Sequence, residues 1–235
     1  MDLSIYLSIA LVFFFIEHRF SYRPTSLKNR LYYLVRDLPF ALVNLLLPPF
    51  LIKKVIFFYS DFLNKTIPNF NFLFPREEMN GIGILVVGFV ISDFIGFILH
   101  RYLYHGVLFK YFHSVHHNGD VVRWHSAYRF NPFELVLTTS IIYMLFYPIG
   151  IPPELFYKLS LYNLLINYLN HSELPLGHPL IEKFFVTPNY HVIHHSVEPG
   201  DQRSNFGGVF TIWDTIWKTK NEKKFLLNKK LGTSL

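Results

Sequence analysis

The chain of 235 residues contains no cysteine, which removes disulfides, thiolate metal ligands, iron–sulfur clusters and thiol nucleophiles, so any bound metal is held by nitrogen and oxygen. With 51% apolar and 19% aromatic residues, only 16% charged and a mean hydropathy of +0.26, it is richer in apolar residues than an ordinary soluble fold and reads as one integral membrane domain, residues 1–235. The formal charge of +6 is assigned to positive-inside loops and anionic lipid headgroups rather than nucleic acid, because no basic stripe stands on a soluble module.

In chain order, Leu3 to Ile16 is apolar, lacks a basic leader and is followed by Glu17-His18-Arg19 in place of a cleavage site, which predicts a retained short span. Arg19, Arg23, Lys28, Arg30 and Arg36 mark Glu17 to Asp37 as cytoplasmic and put the amino terminus outside. Leu38 to Tyr59, broken by Pro48-Pro49 and Lys53-Lys54, reads either as a kinked crossing or as a hairpin dipping into the bilayer. Asp61 to Asn80 reads as a loop that closes an N-terminal region of spans, 1–80. Gly81 to Leu99 is a clean apolar run able to cross about 30 Å of hydrocarbon, and it delivers His100 to the interface. Phe133 to Ile149 and Leu155 to Leu169 are joined by Pro148, Gly150, Pro152 and Pro153, a turn signal that predicts a helical hairpin returning His171 to the side of His100. From Glu173 on there is no span; Phe206 to Trp217 reads as a membrane-hugging or packing segment, and 220–235 as a basic tail.

Histidine is where chemistry concentrates. His113-x-x-His116-His117 and His191-x-x-His194-His195 repeat one spacing, which on a helix puts three imidazoles within an arc of about 100°, able to converge on one point. His100 and His105 stand about 140° apart on a regular helix, so the helix is expected to end or bulge between them, as Gly106 permits. With His171, these nine candidate ligands exceed what one six-coordinate ion accepts, and the topology puts all of them on one side of the bilayer. Two metals are implied, and nine imidazoles without a thiolate favour an ion such as iron over four-coordinate structural zinc. His18, His125 and His178 match no such pattern and are expected not to ligate.

The ordered set His100-Arg-x-x-x-His105, His113-x-x-His116-His117, Arg129-x-x-Pro132-x-Glu134, Asn170-His171, Pro188-x-x-His191-x-x-His194-His195-Ser196 and Asn205-Phe206-Gly207 with Trp213-Asp214 resembles the fatty acid hydroxylase/sterol desaturase superfamily of integral membrane oxygenases. The likeness covers Asp93 to Thr219, so 81–219 is read as the catalytic region. It implies an all-α fold of about four to five short transmembrane helices under a cytoplasmic histidine-rich cap, in a bacterial inner membrane or the endoplasmic reticulum. It also implies two Fe ions on those histidines, with zinc able to substitute on purification, and dioxygen as co-substrate for hydroxylating or desaturating an unactivated C–H bond of a lipid. Asn131 stands where the family often has histidine, and Asn167 stands four residues before His171, where a partner histidine is usual.

Dioxygen reduction needs two external electrons, and the sequence has no Gly-x-Gly-x-x-Gly after a strand and no flavin, nicotinamide or haem domain. A separate electron-donor protein is therefore expected on the basic face. Asp93, Asn167, Asp201, Asn205 and Asp214 are candidates to support the ligands, Asp93 because it lies in an apolar span on the face of His100. Arg129 with Glu134 reads as a brace of the cap or as a catalytic pair. A zinc hydrolase, which would want few histidines, an open water site and a carboxylate base, and a non-catalytic metal-binding protein with ligands inside the bilayer remain the alternatives.

Overall fold

A computed structural model of the chain describes residues 3–67, 81–151, 153–198, 200–223 and 231–232. Among the described residues the regular secondary structure is all helical, with two isolated bridges, Phe185–Phe210 and Ser196–Leu231, in the irregular stretches. Helices α1 (Leu3–Phe20) and α2 (Leu27–Thr66) are followed by α3 (Ile82–Ile98), which runs on into a π-helix over Leu99–Val107. After a second π segment, Phe109–His113, come α4 (Ser114–His117), a 3₁₀ turn (Trp124–Tyr128), α5 (Pro132–Ile149), α6 (Pro153–Asn170), α7 (Pro188–His194) and the short α8 (Ile212–Ile216).

The Ser26 hydroxyl accepts from the Asn29 N–H and starts α2, which then continues for 40 residues through Pro39, Pro48 and Pro49. No hairpin forms at Pro48-Pro49: α2 is one helix, about 60 Å long at 1.5 Å per residue. It also takes in Asp61 to Thr66, which the sequence assigns to a loop; 68–80 and most of the basic tail lie outside the described residues. The α5–α6 hairpin forms as its turn residues require, with the Asn131 side chain accepting from the Phe133 N–H, Pro132 in the first turn of α5 and Gly150 taking the left-handed conformation (φ 100°) at its end. Tyr143, Phe146 and Tyr147 of α5 pack with Phe156 and Leu159 of α6, and α3 approaches so closely at Gly88 that an added Cβ would stand 3.1 Å from Leu159. Among the described residues three helical stretches, Leu27–Thr66, Ile82–Val107 and Pro132–Ile149, are long and apolar enough to cross a membrane, fewer than the four to five expected.

The cap over these helices is tied to α1 and α2 by buried charge. Glu17 pairs with Arg30 at 3.2 Å and lies 3.8 Å from Arg123, Arg123 pairs with Glu173 at 3.1 Å, and Glu17 also accepts the backbone N–H of Glu173 at 2.9 Å. Further along α2, Asp37 takes Arg129 and His125, each at 2.7 Å, and Asn44 donates to the carbonyls of Tyr128 and Phe130. Removing one partner of a buried ionic network leaves the others uncompensated. Glu17→Ala should therefore cost about 3–5 kcal/mol, read as a lowered thermal midpoint in detergent, while Asp61→Ala, which breaks the exposed pair with Lys65, should cost about 0–1 kcal/mol. Equal midpoints for the two variants would deny the network a structural role.

Candidate metal centre

The π-helix solves the spacing problem posed by His100 and His105. Its turn is wider than that of an α-helix, with i→i+5 bonding, so residues five apart come to lie over one another, and the two rings sit 5.0 Å apart between centroids. Gly106 breaks the helical dihedrals (φ −99°, ψ −121°), and the second π segment leads His113 into α4. α7, capped by the Thr187 hydroxyl on Tyr190 N–H with Pro188 in its first turn, carries His191 and His194, and His195 follows it directly. His171 lies just beyond the end of α6.

These nine histidines assemble into two groups: His100, His105, His113, His117 and His194 in one, His116, His171, His191 and His195 in the other, the candidate ligand atoms of each within 4.8 Å of one another. Neither His-x-x-His-His triplet converges on a single point, as its spacing alone suggested; each divides. His113 and His117, four apart, stay together while His116 turns to the other group; His191 and His195 stay together while His194 crosses over. The two groups therefore interlock through α4 and α7. His18, His125 and His178 belong to neither, and His125 is engaged by Asp37.

Within the first group the Nε2 atoms of His100 and His194 lie 3.1 Å apart, as do those of His100 and His113, and those of His105 and His117 are 3.2 Å apart. In the second, His171 Nε2 lies 3.1 Å from His116 and 3.2 Å from His191, and His191 lies 3.1 Å from His195. The far side of the rings decides what these contacts mean. His100 Nδ1–H donates to the Phe206 carbonyl (2.9 Å), His194 Nδ1–H to Ser204 (2.7 Å) and His171 Nδ1–H to Asn167 (2.8 Å). A carbonyl only accepts, so the proton of each neutral ring sits on Nδ1 and Nε2 presents a bare lone pair. His100 and His194 thus aim lone pairs at each other with no proton between them, an arrangement that a shared cation turns from repulsion into ligation. The donor set fits a metal: all-nitrogen, largely buried and oriented by outer carbonyls.

Burial, and after it the neighbouring imidazoles, holds His113, His116, His117, His191, His194 and His195 below the ordinary imidazole range; burial takes His171 down to about 4 against the opposing bond to Asn167. Neutral imidazole is the ligating form.

The sequence missed the strongest outer partner. Glu134 does not pair with Arg129, which goes to Asp37; its carboxyl group lies 2.8 Å from His113 Nδ1 in a buried hydrogen bond. Conversely, none of Asp93, Asn167, Asp201, Asn205 and Asp214 sets its side chain on a clustered imidazole. Asn167 meets His171 through its backbone carbonyl, while its amide donates to Asn163. Asp214 accepts from the N–H groups of Phe206 and Gly207, and Asp93 from those of Val209 and Phe210 and from the Trp213 indole, which together fix the loop whose Phe206 carbonyl holds His100. Gly207 is required there, since a Cβ would lie 2.7 Å from the Phe210 carbonyl oxygen. Asn205, in the left-handed region (φ 56°), ties Tyr190 to Asn221, and the Asp201 carboxylate is taken by Asn221 and Lys223.

Fold and site together define a helical membrane protein with two interlocked all-histidine groups, one buried and one partly so, able to hold metal ions. Residues 85–219, more than half of the chain, match the family model described as fatty acid hydroxylase, and the chain belongs to the fatty acid hydroxylase family. It is similar to an alkylglycerol monooxygenase of Caenorhabditis elegans (28% identical; 54% of this chain, 25% of the relative) and to an ornithine lipid hydroxylase of Rhizobium tropici (24%; 57% and 41%). A Delta(7)-sterol 5(6)-desaturase of Gibberella zeae is 24% identical over 90% of this chain and 62% of its own length. The match thus spans less than two thirds of each of these relatives. No solved structure gives a significant match.

Alanine at His113, His117, His191 or His195 should strip bound metal, measured by elemental analysis, whereas alanine at His18 or His178 should leave it unchanged; uniform behaviour of all six variants would deny the groups a special role. Asn167→Leu should retain metal within about twofold, because the contact it makes to His171 is through the backbone; a loss of about 10-fold or more would place the side chain among the supporting groups. For the metal-free chain the sign of the pH effect follows from the depressed imidazoles. An unfolded chain takes up protons below its ordinary value of 6.5 where the folded one resists, so stability is full above 6.5 and declines below it, for His171 down to about 4. A thermal midpoint independent of pH between 7 and 5 would contradict the buried, neutral assignment.

Proposed function

We propose that the chain is a di-iron, dioxygen-dependent membrane oxidoreductase that oxidises an unactivated C–H bond of a lipid, by hydroxylation in the first instance. One observation carries this reading: the nine clustered imidazoles, five and four, seven of them buried and His100 and His105 half-buried, without a thiolate. Zinc needs only four ligands in a closed structural site, and a catalytic zinc site needs three and an open position, so this donor set suits two redox metals better than either. Family membership and the lipid-acting names of the relatives support lipid as the substrate class. When bound, the irons supply the activation of dioxygen that side chains cannot perform, with two electrons from a separate donor protein docking on the basic face.

The chain's own residues do the rest. Phe206, Ser204 and Asn167 carbonyls fix tautomer and ring orientation, so the Nε2 lone pairs point inward without rearrangement. The Glu134 carboxylate gives His113 a more basic Nε2 than a carbonyl partner would. Near-complete burial of His113, His117, His171 and His194 keeps bulk water from the site. On this reading 81–219 is the catalytic region, the groups face the cytoplasm, and the N-terminal helices belong to the same domain. A second reading, desaturation of a lipid, is favoured by one finding, that the match covering 90% of the chain is to a sterol desaturase.

The test is turnover of a membrane lipid extract with purified protein, reductant and heavy dioxygen, read by mass spectrometry. Hydroxylation predicts a product carrying one labelled oxygen; loss of two hydrogens without label selects desaturation. Full activity with zinc alone, or one metal ion per chain, would overturn the di-iron assignment.

A further inference from the structure

The C-terminal part of the cap lies along the flank of a candidate membrane span. Phe210 packs on Phe89, Trp213 on Phe94, and Trp217 on both Phe94 and Phe97, all on α3. Phe89 is eleven residues before His100, about 16 Å toward the hydrocarbon at 1.5 Å per residue, so this segment descends beside the span it touches. Large apolar residues of the same part of the cap are open: Leu180 (72%), Phe184 (58%), Ile216 (57%), Ile181 (51%) and Ile212 (47%) are exposed. Two parts of the chain far apart in sequence thus build one apolar face, larger than singly scattered surface residues require.

Between them, among the described residues, is a hollow of about 840 Å³ walled by Phe184, Phe185, Phe210 and Ile212 and rimmed by Lys183, Lys220 and Glu222. Its volume falls in the range of small-molecule sites, about 300–1,000 Å³. The Lys220 ammonium spends one of its three N–H groups on the Glu182 carbonyl, its one hydrogen bond among the described residues. Apolar wall, two ammonium groups and one carboxylate complement an acyl chain, a phosphate and a primary ammonium in turn.

We propose that this face is immersed in the bilayer and that the hollow holds one phosphatidylethanolamine molecule of the membrane, its acyl chain on the phenylalanines, its phosphate between Lys183 and Lys220 and its ammonium on Glu222. This site is distinct from the histidine groups and does not depend on the metal they carry or the reaction they perform. Because the chain has no cysteine, single replacements Ile181→Cys, Phe184→Cys and Ile216→Cys each take one nitroxide label. In nanodiscs of phosphatidylethanolamine, phosphatidylglycerol and phosphatidylcholine, the labels should collide more with dissolved oxygen than with a water-soluble nickel chelate. Native mass spectrometry after release should retain one phosphatidylethanolamine per chain, and Lys183→Glu with Lys220→Glu should lower that occupancy about tenfold, the loss expected from a charge-assisted hydrogen bond. Unchanged metal content of the double variant controls for folding. Greater access of the nickel chelate at all three labels, undiminished lipid retention in the double variant, or phosphatidylglycerol retained in its place would each overturn the proposal.

Discussion

Bare imidazole lone pairs, packed into a volume from which water and counter-charge are largely excluded, are the condition on which everything else in the structure rests. His100 and His194 both spend their only proton on backbone carbonyls, so their Nε2 atoms face each other at 3.1 Å without one. The same carbonyls that create the conflict orient its resolution, because rings pinned at Nδ1 cannot rotate away and hold their lone pairs ready for a cation. A site of this kind is unfavourable when empty and rigid when filled. The surrounding chain must therefore be braced to tolerate the first state, and the bracing is what most of the buried polar residues do.

That bracing is layered. Glu134 reaches His113 directly, whereas Asp214 and Asp93 work one step further out, holding the 206–210 backbone by its N–H groups so that a carbonyl stays on His100. Asp93 thereby explains itself as an acid within an apolar helix: it accepts the backbone N–H groups of Val209 and Phe210, which precede α8 and have no helix of their own to satisfy them, and the Trp213 indole N–H beside them. The cap is an irregular chain whose backbone is completed by side chains from its neighbours.

How far this was legible in the sequence differs by element. The gathering of the nine histidines and the α5–α6 hairpin could be read, because ligand spacing and Pro/Gly punctuation are local signals. The division of each His-x-x-His-His triplet between two groups could not, since periodicity places side chains on a face of one helix and says nothing of where the neighbouring helix presents its own. The π-helix at His100 escaped for a related reason: a five-residue spacing demands some departure from the α-helix, yet sequence does not say which. Glu134 was assigned to the wrong partner because Arg129 is close in sequence while Asp37 is not. The carbonyl partners of His100, His171 and His194 have no sequence signal at all, as every residue carries a carbonyl.

One signal was present and unread. Arg30, Asp37 and Asn44 recur every seven residues, so with a drift of about 20° per heptad they form a single polar stripe on α2. All three are buried, and they meet in turn Glu17, the Arg129–His125 pair, and the carbonyls of Tyr128 and Phe130. The other side of the same turns, Leu31, Val35, Leu38, Leu42 and Leu46, is apolar and exposed. A helix of membrane-spanning length with these two faces has only one stable rotation, polar stripe to the cap and apolar stripe to lipid. The family match begins at residue 85, but the carboxylate that pairs with the buried Arg129, Asp37, lies before it, as does Glu17, which joins the Arg123–Glu173 pair. The helices before it are therefore tied to the histidine-bearing cap by its buried ion pairs and by the Asn44 amide, so the cap does not complete its own polar groups without them.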